Sequence, residues 1–175
     1  KSKAIILCTG AKARKLGIPG EKEFAGRGVS YCAVCDGAFY KGQEVYLIGD
    51  ANTACQYALL LANYCTKVHM FALFDHLFGD QILIDRVRQN ERISVNYNMN
   101  TVAFNGNGEL EEIVFEDKNT HLLHSYKTNN VFIAIGQVPH NEAFRDIVEI
   151  DKGFIVTDNN MKTSCDGIFA IGDTR

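Results

Sequence analysis

Glu44-Val45-Tyr46-Leu47-Ile48-Gly49-Asp50-Ala51-Asn52-Thr53-Ala54 is the stretch that decides the fold. Its first five residues form an apolar run closed by a glycine turn. Beyond the turn, Ala54, Tyr57, Ala58, Leu61 and Ala62 recur at the spacing that lines one face of a helix. The stretch reads as a strand, a tight turn and a helix reaching to near Tyr64. Lys67-Val68-His69-Met70-Phe71 gives a second strand, Ile82 to Gln89 a second helix, and Ile93-Ser94-Val95-Asn96-Tyr97 a third strand. Strands alternating with helices point to a parallel sheet, so the expected class is α/β with a Rossmann-like βαβ domain.

Further along, short alternating runs at Thr101 to Phe104, Leu110 to Glu116 and His121 to Tyr126 surround Asn105-Gly106-Asn107-Gly108. They predict an antiparallel β meander. Asn130-Val131-Phe132-Ile133-Ala134-Ile135-Gly136 reads as another buried strand, and Gly153 to Val156 and Gly167 to Asp173 as two β segments of the tail. Toward the N-terminus, Lys3 to Cys8 predicts a buried strand. Ala11 to Gly28 shows no period and contains the Gly17-Ile18-Pro19-Gly20 turn, so a connector loop between compact units is expected.

A net charge of −3 over 175 residues leaves no basic footprint, so nucleic acid is not an expected partner. No apolar run approaches the roughly 18 residues of a membrane span, and a membrane partner is not expected either. No signal peptide is visible. The chain opens on Lys1 rather than methionine, as a fragment would. Six cysteines in an acidic chain of this length do not resemble a small secreted disulfide scaffold, and a reducing cytoplasm fits better.

The chemistry concentrates in Cys32-Ala33-Val34-Cys35-Asp36-Gly37. Two thiols separated by two residues can close and reopen a small disulfide ring and so pass on two electrons. The same spacing supplies half of a zinc site, but neither a second close cysteine pair nor finger-like histidines accompany it, which favours redox. A carboxylate at Asp36 can carry the proton that moves when a thiolate leaves. Asp36-Gly37 is also a turn dipeptide, and spacing does not separate the two readings.

Gly49 to Ala54 sits where a dinucleotide pyrophosphate would meet a helix N-terminus. Gly49 fills the first glycine position and Ala54 an allowed third, with Asn52 and Thr53 between them. Ala51 replaces the second glycine, and Asp50 brings a negative charge that disfavours an anion by about 1 to a few kcal/mol unless it points away or pairs. At the end of the second strand, Phe71 to Phe78 contains no arginine for a 2′-phosphate, while Asp75 could hold a ribose hydroxyl. Leu73, Phe74, Leu77 and Phe78 form an apolar patch that reads as core or as a docking surface, and core is the expectation. Nucleotide binding at this turn is expected to be weak.

Taken in order, Thr9-Gly10-Ala11, Gly26 to Tyr31 running into Cys32 to Gly37, Ile48-Gly49 with Asn52 to Ala54, Ala134-Ile135-Gly136 to Pro139, and Phe169 to Asp173 resemble the low-molecular-weight thioredoxin reductase family, which includes the related flavoprotein of alkyl hydroperoxide reduction. The resemblance covers nearly the whole chain. It implies a two-domain flavoenzyme, a homodimer when full-length. Residues 17–137 would form the pyridine-nucleotide-type domain carrying the cysteines, inserted between FAD-domain remnants at 1–16 and 138–175. It further implies that Cys35 faces the flavin, Cys32 attacks the partner disulfide and Asp36 is acid and base, while Thr9, Gly10, Gly172 and Asp173 lie against FAD. Electrons would pass from reduced FAD through Cys32 and Cys35 to thioredoxin or a thioredoxin-like protein. An NADPH-using relative would carry His-Arg-Arg at the positions of Ala72, Leu73 and Phe74 and arginine at Phe78. These departures shift the resemblance toward ferredoxin-dependent flavin thioredoxin reductases and leave NADPH and ferredoxin both open as electron donor. The competing reading from another class is a zinc-binding module in which Cys32 and Cys35 form half of an intermolecular site.

Overall fold

The computed structural model describes residues 2–175. In chain order it contains β1 (Ile5–Leu7), β2 (Ala11–Ala13), β3 (Val29–Ser30), α1 (Ala33–Asp36), β4 (Glu44–Ile48), α2 (Asn52–Leu61), β5 (Lys67–Phe71) and α3 (Gln81–Gln89). There follow β6 (Ile93–Asn96), β7 (Met99–Gly106), β8 (Leu110–Asp117), β9 (Leu123–Lys127), β10 (Val131–Ile133), β11 (Gln137–Pro139), β12 (Ile150–Asp151), β13 (Phe154–Ile155) and β14 (Ile168–Ala170). Two compact units form: Lys15–Gly136, and Gln137–Arg175 together with the N-terminal segment up to Arg14.

In the larger unit a five-stranded parallel sheet has the order β3-β10-β4-β5-β6, as the strand-helix alternation predicts. The period of two along β4 and β5 decides which side chain goes where. Val45, Leu47, Val68 and Met70 face α2 and α3, where they bury against Ala54, Ala58, Leu61, Ile84 and Val87. Ile48 and Phe71 enter the opposite layer with Phe104, Ile113 and Phe115, residues of the antiparallel β7-β8-β9 sheet. The Phe71 and Phe115 rings stack 4.0 Å apart at this junction. Helix α2 starts at Asn52 and stops at Leu61, three residues before Tyr64, because the chain tightens there into turn bonds from Asn63 and Tyr64 to Leu60 and Leu61.

The segment from Ala11 to Gly28 is more than a connector. Its first residues form β2, which pairs antiparallel with β11. Farther on, Phe24 is buried and the Phe104 N–H donates to the Pro19 carbonyl. The buried Glu21 carboxylate accepts the N–H groups of Leu16 at 2.9 Å and Gly17 at 2.7 Å. Backbone groups satisfied by a side chain and by β7 leave no periodic signature, which is why the stretch reads as loop.

In the smaller unit β1 pairs parallel with β14, and β12 forms a hairpin with β13. The expected burial of the first strand holds only for Leu7. Ile5 and Ile6 are exposed, since β14 covers one edge of β1 and the small apolar cluster of Leu7, Val148, Ile155 and Ala170 takes up a single face.

Gly49 has a φ of +148° and sits tightly: a Cβ there would overlap the Ala134 carbonyl oxygen and lie 2.9 Å from the Ala54 Cβ. Gly42, with φ of +77°, faces open space. Backbone strain and overpacking each cost about 1 to 3 kcal/mol, so Gly49→Ala is expected to lose about 2 to 4 kcal/mol of stability in urea unfolding, against about 1 kcal/mol for Gly42→Ala. Equal shifts in the two variants would show that the close approach is absent.

Candidate active site

Strand β3 delivers the chain at Ser30 to the redox segment. Cys32 is extended and serves as N-cap of α1, and the four-residue helix continues into a 3₁₀ turn at Gly37–Tyr40. Cys32 and Cys35 are joined by a disulfide bond across a Cα separation of 5.3 Å, well inside the range such a bridge spans. Spent on each other, the two sulfurs are not the thiolates a zinc ion requires. Among the described residues no group of three or more His, Cys, Asp or Glu side chains could hold a metal ion.

The Cys35 N–H points at Cys32 Sγ, 3.2 Å away. A donor aimed at sulfur favours the thiolate when the bond opens. Cys32 is half-buried and Cys35 exposed, between the exposed side chains of Val34 and Phe39. Gly37 is right-handed helical and opens the 3₁₀ turn, so no left-handed backbone conformation requires glycine there. A Cβ there would approach Leu61 Cδ2 to 2.9 Å, and the missing side chain lets α1 lie close on α2.

Asp36 is held by Ser30, whose hydroxyl donates to Oδ2 at 2.6 Å and accepts the Cys32 N–H at 3.1 Å. Burial, and after it the Asp36 charge, push the Tyr40 phenol up. Tyr31, beside Cys32, donates its hydroxyl to Glu21 at 2.9 Å. Burial together with this bond raises the Tyr31 phenol well beyond its ordinary range, so it remains a donor. Lys15 Nζ sits 3.1 Å above the Tyr31 ring centroid. Ser30 and Glu21 are the residues that sequence reasoning missed. The sole trace of Ser30 is a hydroxyl residue shortly before the cysteine pair, and Glu21 lies in a stretch without period.

In the smaller unit, the carboxyl ends of β1 and β14 bring Thr9 and Gly10 beside Gly172 and Asp173, with the Ile171 N–H bonded to the Leu7 carbonyl. The Thr9 and Thr174 hydroxyls lie 2.7 Å apart, and Thr174 donates to Asn141 Oδ1 at 2.6 Å. Asn141 Nδ2 donates to the carbonyls of Thr174 and Gly153. The Thr9 side chain is thus part of the scaffold. Gly10 and Gly172 have φ near +70° with open space where a Cβ would stand, and Asp173 is exposed. Open glycine turns at the carboxyl ends of parallel strands, with a free carboxylate beside them, fit a nucleotide cofactor's backbone and its hydroxyl groups.

The turn after β4 is occupied by its own chain. The half-buried Asp50 carboxyl is pushed up by burial, partly offset by a bond from the Leu73 N–H. The Phe78 N–H donates to the Asp50 carbonyl at 2.7 Å. Asn52 accepts the Asp80 N–H at 2.6 Å and donates to its carboxylate at 3.3 Å. Thr53 is exposed and Ala54 buried against the sheet. Asp75 pairs with His76 at 2.6 Å. Of the four apolar residues expected in the core only Leu77 is buried. Leu73, Phe74 and Phe78 are exposed: in the loop between β5 and α3 the Phe74 and Phe78 rings pack edge to face on each other, 5.2 Å apart, rather than entering the core. Two carboxylates at the helix entry and no arginine within Phe71–Phe78 do not fit a dinucleotide phosphate.

The Pyridine nucleotide-disulphide oxidoreductase family model matches residues 1–175. The chain is 40% identical over 172 residues to the thioredoxin reductase of Treponema pallidum (strain Nichols), covering 98% of this chain and 56% of that protein. It is 38% identical over 177 residues to the thioredoxin reductase of Bacillus subtilis (strain 168), covering 100% and 56%. Among solved structures, Lactococcus lactis thioredoxin reductase in its FR conformation superimposes with a TM-score of 0.89 at 36% identity, over 99% of this chain and 58% of that one. The chain spans about half the length of the curated relatives it matches. A match that runs from its first residue to its last places the chain in the pyridine nucleotide-disulphide oxidoreductase family.

Proposed function

We propose that the whole protein is a thioredoxin reductase-type flavin disulfide oxidoreductase and that Cys32 and Cys35 are its electron relay. The observation that carries this reading is the Cys32–Cys35 disulfide, exposed at Cys35 and flanked by the Asp36 carboxylate on a rigid seat. Residues 17–137 serve as the redox-carrying domain, and 1–16 with 138–175 belong to the FAD domain of a homodimer. Gly10, Gly172 and Asp173 would hold FAD, with Asp173 on a ribityl hydroxyl and the two glycines allowing close backbone approach, while Thr9 would brace these turns through its bonds to Thr174 and Asn141. When bound there, FAD would supply the two electrons that open the Cys32–Cys35 bond.

Cys35 is the flavin-side sulfur and Cys32 the one that attacks a client. The Cys35 N–H at 3.2 Å supports the Cys32 thiolate in that role. The client is thioredoxin or a protein of its kind, which leaves as a dithiol while the Cys32–Cys35 bond re-forms. Asp36 carries the protons between departing and arriving sulfurs. Because the residues after β4 and β5 do not fit a nicotinamide dinucleotide, the electron donor is an iron–sulfur protein of the ferredoxin class. A cytoplasmic setting keeps the relay in a reducing pool.

In the full-length protein Cys35→Ser is expected to lower thioredoxin reduction by about a thousandfold or more, since covalent relay through the pair is lost. Undiminished turnover by that variant refutes the relay. NADPH is expected to bind with a dissociation constant above about 0.1 mM, worth less than about 5.5 kcal/mol. Micromolar affinity by calorimetric titration, or turnover faster with NADPH than with reduced ferredoxin, overturns the assignment of the donor.

A further inference from the structure

Ser30 closes β3, is buried, and has three polar neighbours around one hydroxyl: Asp36 Oδ2 at 2.6 Å, the Cys32 N–H at 3.1 Å and the Cys32 carbonyl oxygen at 3.5 Å. A serine hydroxyl has one proton to give and two lone pairs to offer. The Cys32 N–H can only donate, so it takes a lone pair. The proton goes to Asp36, where the distance is shortest and the charged acceptor makes the stronger bond. One oxygen atom therefore ties the main chain of the redox pair to the carboxylate that follows it.

We propose that Ser30 is a positioning residue for the disulfide exchange: by holding Asp36 Oδ2 and the Cys32 N–H on a single hydroxyl, it fixes the carboxylate beside the sulfurs and leaves Oδ1 for proton transfer. This inference rests on the acid–base role proposed for Asp36. In the dithiol state Asp36 takes the proton of the attacking thiol, whose thiolate then breaks the client S–S bond and forms a mixed disulfide. The released client sulfur departs with the bonding electron pair and takes that proton. Asp36 next receives the proton of the second thiol, and the resulting thiolate displaces the remaining client sulfur, which leaves protonated as the Cys32–Cys35 bond closes. The pair is oxidised by two electrons and the client reduced by two. Each proton passes through one carboxyl group, and a carboxyl already in place spares the search for every departing sulfur.

The dependence on the leaving sulfur separates this role from a merely structural one. An alkyl thiolate is basic and needs a proton as it leaves, whereas an aromatic thiolate of low pKa departs without one. The test uses the full-length protein, reduced with dithiothreitol and desalted without air, and follows its reaction with oxidised glutathione and with an aromatic nitrobenzoate disulfide. Loss of a charge-assisted hydrogen bond predicts that Ser30→Ala slows the glutathione reaction about tenfold and the aromatic one by less than about threefold. Ser30→Thr is expected to keep the glutathione rate. Combining Ser30→Ala with Asp36→Asn should be no slower than Asp36→Asn alone, as for two residues acting as a unit. Equal losses on the two disulfides, additive losses in the double variant, or no loss in Ser30→Ala overturns the positioning role. If Asp36→Asn itself reacts with glutathione disulfide at the normal rate, the acid–base reading of Asp36 fails. A slow Asp36→Asn beside a fast Ser30→Ala removes only the role of Ser30.

Discussion

Strand β10 lies between β3 and β4, and the layout of the larger unit follows from that pairing. Val131 and Phe132 register with Val29 and Ser30 on one side, while Phe132 and Ile133 register with Leu47 and Ile48 on the other. All three strands run parallel, so β3 and β4 end at the same edge of the sheet. The redox segment leaves from the end of β3 and the glycine turn from the end of β4, both at that edge. The buried Asn130 fixes the register at the opposite edge, where its side chain donates to the Glu44 carbonyl at 3.1 Å and accepts the Tyr46 N–H at 3.3 Å. An unsatisfied buried amide costs about 1 to 3 kcal/mol, and a slip of one residue would turn each strand over. One side chain therefore helps to set where Ser30 delivers the cysteines.

A helix of four residues has no stability of its own in water. Helix α1 holds its shape through three constraints outside its own hydrogen bonds: the covalent ring of Cys32 and Cys35, the fit of Gly37 against Leu61, and the Ser30–Asp36 bond. Only the first is lost on reduction. The other two join α1 to α2 and to the end of β3, and neither contact involves a sulfur. Glu21 does similar service on the N-terminal side. Its buried charge is matched by two backbone N–H groups and the Tyr31 hydroxyl, and a buried carboxylate is tolerable only with such partners. Tyr31 thereby anchors the residue directly before Cys32.

The α/β alternation was legible because each of its strands and helices buries one face, which writes a period of two or of 3.6 into the sequence. The meander was legible for the same reason, and β5 spans the same residues that its apolar run predicts. What stayed illegible is held by other means. The two residues of β3 are too short for any period. Glu21 satisfies backbone groups from a side chain, and Ile5 and Ile6 belong to a strand with one neighbour, so an apolar run there is no sign of burial. The exposed Leu73, Phe74 and Phe78 misled in the same direction, since composition registers hydrophobicity and not the layer that must cover it. The cysteine pair stood out by spacing alone. Its dependence on Ser30 lies in a distance across a strand end, which sequence does not encode.

The turn after β4 shows why a glycine fingerprint can persist when its ligand does not fit. Gly49 is required by the Ala134 carbonyl and the Ala54 methyl group, contacts that belong to the packing of β4 between β10 and α2. The second fingerprint position has no such duty. Ala51 is exposed, so no packing contact there calls for glycine. Asp50 and Asp80 can then settle at the helix entry, where the Leu73 N–H and the Asn52 side chain bind them, while Phe78 closes onto the Asp50 carbonyl. A first glycine alone is thus evidence for the βαβ fold. Evidence for a bound dinucleotide has to come from the second glycine and from arginines at the end of the next strand, and neither stands at those positions of this sequence.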